Sequence, residues 1–371
     1  MAGGAFEAAD ASGPPASLDL VVMATGPFAV PMLRRLVGSR HRVVAVVTRP
    51  ARSAPGRRPP PNPIRETAEA AGIPVIDPAD VNAAGAVSAL RGFAGDLFVV
   101  CDYGQILSPE VLAIPRLGGI NLHGSLLPRH RGAAPVQWAI LAGDAITGVC
   151  VIHMTPALDA GRVLGSSETT IGPRETAAEL EPRLAELGAP LVLEAIERLA
   201  AAKDPWAIGE PQHPSAVTRA PRLSKADAIV DWSRPAVEID RRRRGMEPWP
   251  RTTTFLLRDG HAPLRLVLED LSPDAASPDD GGSPAVPAGT VLAADESGIR
   301  IASGAGTAVV ITRLVPEGRK SMTAAEFLRG TRIAPGDRFG LMPLPAQLNY
   351  KDAQETLVYH QSVASERMKK K

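Results

Sequence analysis

Asn121 and His123 stand one residue apart, with Leu122 between them and Gly124 after them. The segment Gly119-Ile120-Asn121-Leu122-His123 has the apolar character of a strand, and alternate residues of a strand share a face. An amide donor and an imidazole therefore converge on one point while Leu122 faces the other way. Gly124 and the run Pro128-Arg129-His130-Arg131-Gly132 impose an irregular loop able to wrap a small molecule. Asp159 lies further on, in Ala157-Leu158-Asp159-Ala160-Gly161, on a turn after another strand. A carboxylate beside an imidazole raises its basicity and fixes its tautomer. Together, an amide for a developing oxyanion, an acid–base group and a tuning carboxylate suit acyl transfer. No nucleophile is evident: the Ser125 hydroxyl is as well suited to a backbone bond, and Cys101 and Cys150 read as small apolar residues inside strands. Direct transfer to an incoming amine is the chemistry expected. A histidine at a strand end is more often structural than catalytic; the Asn partner and the flanking glycines bring the two readings level.

The elements that position these residues follow from periodicity. Apolar, β-branched runs at 18–24, 41–47, 74–76, 96–101 and 119–123 read as strands, with helices over 28–37, 64–71 and 81–93. Such alternation means βαβ units with right-handed crossovers, and hence a Rossmann-like, mostly parallel sheet. Runs at 147–154 and 163–171 extend the sheet, and a long helix over 174–202 closes the domain. Asn121 and His123 then sit at a strand's carboxyl end, where open α/β sheets place their ligands. The first turn, Thr25-Gly26-Pro27, lacks the further glycines of a dinucleotide fingerprint, and no P-loop occurs. Residues 204–221, carrying Pro205, Pro211, Pro214 and Pro221, read as a linker. Beyond it, short strand patterns at 253–257, 264–268, 289–293, 298–302 and 308–313 suggest a small, OB-like β-barrel. The expected organisation is a flexible leader (1–16), an α/β catalytic domain (17–203), the linker (204–221), a β-barrel domain (222–345) and a tail (346–371), with a polar, acidic insertion at 273–287.

Composition limits the function classes. With 371 residues, 44% hydrophobic and 22% charged, the chain has material for more than one core. Its net charge of +1 argues against a protein coated in basic residues but leaves room for local patches. Two cysteines exclude a disulfide framework and a cysteine-built zinc site, so no metal is expected. The first residues lack the charge and apolar core of a secretory signal, and no apolar run approaches a membrane span. A cytoplasmic, membrane-independent protein, acting as a monomer, is expected.

Residues 121–135, together with Leu141-Ala142-Gly143-Asp144-Ala145-Ile146-Thr147-Gly148-Val149 and Leu158-Asp159-Ala160-Gly161, resemble the methionyl-tRNA formyltransferases. The resemblance runs from about Leu18 to Phe339 and takes in Asp102-Tyr103-Gly104-Gln105-Ile106-Leu107, Leu223-Ser224-Lys225-Ala226-Asp227, Pro248-Trp249-Pro250 and Gly318-Arg319-Lys320-Ser321-Met322. It implies that Asn121, His123 and Asp159 are the catalytic trio. It further implies that Ser125-Leu126-Leu127-Pro128, with Tyr103 and Gly104, contacts the folate. The implied donor is 10-formyltetrahydrofolate, as co-substrate, and the implied acceptor is the α-amino group of methionyl-initiator tRNA. The first turn departs from the family's Gly-Thr-Pro-x-Phe, and His130 stands at a position of variable type.

Two arginine clusters complete the reading. Arg49, Arg52, Arg57, Arg58 and Arg65 fall in a stretch without an acid, kept non-helical by Pro50, Pro55 and Pro59-Pro60-Pro61. Alone, this is a solvated basic loop; by the resemblance, Arg49, Arg52, Arg57 and Arg58 become an arm on the tRNA acceptor stem. Arg241-Arg242-Arg243-Arg244 lies on a helix, where successive residues diverge and two of the four can face one ligand; Arg241 and Arg244 are expected to be that pair. Lys369-Lys370-Lys371 adds weak, nonspecific attraction for RNA.

Overall fold

The computed structural model describes residues 17–51, 61–274 and 286–341. The expected leader, Arg52, Arg57 and Arg58, the centre of the insertion and the tail lie outside the described residues. The chain divides into two units, one running to Leu223 and one from Ser224.

In chain order, the first unit contains β1 (Asp19–Ala24), α1 (Val30–Val37), β2 (Arg42–Val47), α2 (Pro63–Ala70), β3 (Val75–Ile76), α3 (Ala84–Gly92), β4 (Leu97–Cys101), α4 (Pro109–Leu112) and β5 (Gly119–His123). It continues through β6 (Arg131–Gly132), α5 (Pro135–Ala142), β7 (Ile146–His153), β8 (Val163–Thr170), α6 (Ala177–Ala201) and β9 (Arg219–Ala220). The main sheet has the order β3-β2-β1-β4-β5-β7-β8. Strands β1 to β5 pair in parallel, whereas β7 and β8 return antiparallel. The chain leaves β1 for β2 on one side and later resumes at β4 on the other, which opens a crevice at the carboxyl ends.

Strands β1 and β4 are apolar almost throughout because helices cover both faces of the sheet. On one face lie α1 and α6, with Leu33, Leu36, Leu180, Leu184 and Ile196 in the same core as Leu122. A capping box at Thr176 and Glu179 starts α6. Gly188 lets α6 approach β5 closely: a Cβ there would stand 2.7 Å from the Leu122 side chain. Leu122 thus anchors β5 by the face opposite Asn121 and His123.

Residues 204–221, expected as a linker, belong to the first unit. Glu210 bridges Val163, and β9 pairs in parallel with β6, Arg131 opposite Arg219. Prolines suggest an unstructured connection, yet they are compatible with extended edge segments that use only some of their backbone donors.

The second unit carries α7 (Ala236–Gly245), β10 (Thr253–Leu257), β11 (Leu264–Pro273), β12 (Val291–Asp295), β13 (Gly298–Ser303), β14 (Thr307–Pro316), β15 (Met322–Thr323), α8 (Ala324–Gly330) and β16 (Arg338–Gly340). Its antiparallel sheet runs β12-β13-β14-β11-β10-β16. The Phe339 N–H donates to Gly289 O at 2.7 Å and the Val291 N–H to Asp337 O at 2.8 Å, so β16 rejoins the entry to β12 and the barrel nearly closes. Leu256, Leu268, Ile299, Ile311 and Phe339 fill its interior.

Candidate active site

Strand β5 delivers Asn121 and His123 to the carboxyl edge of the sheet. Asn121 is half-buried, and among the described residues nothing hydrogen-bonds its side-chain amide. His123 is 5% exposed. Its Nε2 lies 3.0 Å from the backbone oxygen of His130. A carbonyl only accepts, so Nε2 must carry the proton. In the neutral ring, Nδ1 is then the basic nitrogen, and it faces Asp159 Oδ2 at 3.8 Å.

The turn after β7 is shaped to present Asp159. Asp159 takes a left-handed φ of 50°, and Gly161 packs so tightly that a Cβ would lie 1.8 Å from His153 O. Gln212 Nε2 donates to Asp159 O and to Gly161 O, each at 2.8 Å, while Arg131 Nε and Nη2 bond Gln212 Oε1 at 3.0 and 2.6 Å. The Gly132 N–H donates to Asp159 Oδ2 at 2.9 Å. One carboxylate oxygen thus answers both to β6 and to the His123 ring.

Electrostatics modify the expectation for the histidine. Burial is the largest influence on His123 and depresses its pKa; Asp159 and the His130 carbonyl pull it back up, and His130 and Arg131 push it down. The net direction is below the ordinary value, so the ring is neutral near pH 7 with Nδ1 open to a proton. The carboxylate raises basicity as expected, but desolvation outweighs it. Burial pushes the Cys150 thiol up to about 11 and that of Cys101 well above its usual value, so neither supplies a thiolate.

The other expected contacts divide by where the chain places them. Ser125 is fully buried, its hydroxyl donating to Arg129 O at 2.7 Å, which ties the loop to itself. Leu126 packs over Gly148, the Leu127 N–H points at Cys150 Sγ at 3.3 Å, and the Leu127–Pro128 peptide is cis. Tyr103 is buried, its hydroxyl lacks a hydrogen-bond partner among the described residues, and burial pushes its pKa up to about 12. Gly104 has φ 77°, and a Cβ there would stand 3.0 Å from Arg49 Nη1. Arg49 therefore lies over the segment expected to meet the folate, which the sequence kept apart from the arginine arm.

In the second unit the paired arginines separate. Arg241 is half-exposed, but Arg244 is 8% exposed with Nε on Asp240 Oδ2 at 2.8 Å. Burial and this ion pair remove Arg244 from the residues open to RNA. Arg243 is also buried, near Asp240, Glu247 and Asp270, and Arg242 bonds Asp227 O. Four consecutive arginines give no amphipathic signal to show which face the barrel covers.

Sequence reasoning passed over Gln212, Arg131 and His130. His130 is 4% exposed and bonds Asp144 Oδ2 through Nε2 at 2.7 Å. Their signals are weak because they act on backbone groups or on one another, from one loop of variable type and one proline-rich segment.

Residues 19–196 match the family model for formyl transferases, and residues 222–332 match that for the formyl transferase C-terminal domain. A Rhodopirellula baltica protein named methionyl-tRNA formyltransferase is 44% identical over 331 residues, 87% of this chain and 96% of its own length. A Geobacter sulfurreducens protein of the same name is 39% identical over 326 residues, 88% of this chain and 98% of its own. Among solved structures, an N-formyltransferase from Helicobacter canadensis, in complex with folinic acid and dTDP-3-aminofucose, aligns with TM-score 0.56 at 15% identity, covering 80% of this chain and 99% of that one. HypX from Aquifex aeolicus in complex with tetrahydrofolic acid aligns with TM-score 0.52 at 18% identity, over 84% of this chain and 46% of that one. At those identities the two structures speak for the fold alone.

Proposed function

The chain belongs to the methionyl-tRNA formyltransferase family, and from that premise we propose that it transfers the formyl group of 10-formyltetrahydrofolate to the α-amino group of methionyl-initiator tRNA, for translation initiation. The observation that carries the reading is the ring of His123, with Nε2 on a carbonyl and Nδ1 turned to Asp159, one strand period from the unbonded amide of Asn121.

The folate lies against Ser125-Leu126-Leu127-Pro128 and the Tyr103-Gly104 turn; with Tyr103 buried, its contribution there is backbone and shape. The amine nitrogen of the acceptor attacks the formyl carbon. The new C–N bond forms as the carbonyl π pair moves to oxygen, where the Asn121 amide donates. His123 Nδ1 accepts the proton that the amine nitrogen sheds, and Asp159 balances the imidazolium. The proton returns to the departing folate nitrogen as the second C–N bond breaks, leaving formylmethionyl-tRNA and tetrahydrofolate. His123 is buried and sits neutral until the amine arrives, which suits catalysis at neutral pH.

Arg49 and Arg241, with Arg52, Arg57 and Arg58, supply phosphate contacts. A role in translation initiation sets the reaction in the cytoplasm, with one copy of the chain per tRNA. No helix among the described residues is long and apolar enough to cross a membrane. Incubation with formyl-labelled donor and charged initiator tRNA tests the proposal: label in the methionyl amide is the expected product. Label released only as formate, at the same rate with and without tRNA, would make the chain a hydrolase instead.

A further inference from the structure

His130 has the left-handed φ of 58°, uncommon outside glycine although histidine, like asparagine and aspartate, adopts it more readily than other residues. It is pinned at every polar atom. Its backbone N–H donates to Thr218 Oγ1 at 2.8 Å, and that hydroxyl lies 3.4 Å from ring Nδ1. Ring Nε2 bonds Asp144 Oδ2 at 2.7 Å, a carboxylate that Arg129 also engages. The remaining polar atom, the carbonyl oxygen, is the one that meets His123 Nε2.

We propose that His130 is a positioning residue for formyl transfer: its ring, held between Asp144 and Thr218, keeps its carbonyl on His123 Nε2 and so reserves His123 Nδ1 as the nitrogen that takes and returns the proton. The inference rests on the function proposed above and adds to it the group that selects the tautomer. Without the ring, the left-handed turn loses its bonds to Asp144 and Thr218, and the carbonyl, held only through the Arg131 N–H on Thr218 O at 2.9 Å, is free to shift off His123. Asp159 then becomes the better acceptor, the His123 proton moves to Nδ1, and the base faces its substrate already protonated on the working nitrogen. The ring of His130 is buried and so offers no surface to either substrate, which makes the expected effect one on turnover rather than on KM.

Two readouts on the full-length protein test this. In 15N-histidine spectra the intact protein should show His123 with the Nε2–H tautomer. His130→Ala should shift it toward Nδ1–H and lower kcat by about tenfold or more, with KM for either substrate within about twofold. His130→Gln, whose amide N–H reaches toward Asp144, should restore most of both. If His130→Ala fails to fold, Thr218→Val, which at almost constant volume removes the hydroxyl that accepts from the His130 N–H and faces its ring, should produce the same tautomer shift. An unchanged tautomer in these variants, or a loss confined to KM, would overturn the role. Failure of formyl transfer in the intact protein would instead overturn the function, leaving the tautomer result standing by itself.

Discussion

His123 sits between opposed influences, and its chemistry depends on which prevails. Burial lowers its pKa more than Asp159 raises it, so the ring should titrate below the free-histidine value of about 6.5, read from the pH dependence of its imidazole NMR signals, since the acceptor's own amine adds a limb to any rate profile. Asp159→Asn removes the largest raising influence; the His123 titration should move to still lower pH and kcat should drop. A His123 titration above pH 7, or one moving upward in that variant, would contradict the assignment. The same depression has a consequence for folding. The unfolded chain takes up the His123 proton first, so this contribution to stability is present above about pH 6.5 and is lost as pH falls through the folded value. Thermal unfolding of wild type and His123→Gln across pH 5–8 checks the sign, since the variant lacks this slope.

Strands and turns decide how closely the residues meet. The β6–β9 ribbon depends on Gly132, whose φ of 136° and closeness to Ala220 O, 2.3 Å from a would-be Cβ, leave no place for a side chain. Gly132→Ala should therefore lower the melting temperature and, by displacing the N–H that holds Asp159, lower turnover as well. Gly85 in α3 provides the control: a Cβ there meets nothing within 4 Å, so Gly85→Ala should stabilise by about 0.5–1 kcal/mol and leave turnover alone. Gln212→Ala should behave like Gly132→Ala, as it frees the Asp159 turn at two carbonyls. Alternation along β5 was enough to read Asn121 and His123 onto one face, and the spacing of apolar runs was enough to read the parallel sheet. Periodicity reports only which face a side chain occupies. It is silent on Gln212, Thr218 and the His130 carbonyl, because they act through hydrogen bonds from segments without a repeat.

Across the whole molecule, basic and acidic residues nearly cancel to a net charge of +1 while arginines cluster locally, so RNA affinity should depend on a few arginines. Arg49→Ala and Arg241→Ala should each reduce the slope of log affinity against log salt by about one, as one phosphate contact is lost. Arg244→Ala should leave that slope unchanged and lower stability, since its guanidinium already answers Asp240 in the interior. Equal slopes for all three variants would return the exposed pair to an ordinary solvated surface. The catalytic claim itself is tested most directly by single-turnover transfer of labelled formyl from donor to charged initiator tRNA, wild type against His123→Gln, with tRNA binding measured on the same samples. The mechanism predicts label in formylmethionyl-tRNA for wild type, and a rate lower by about a hundredfold or more at undiminished binding for the variant. Transfer at the wild-type rate by His123→Gln would contradict it.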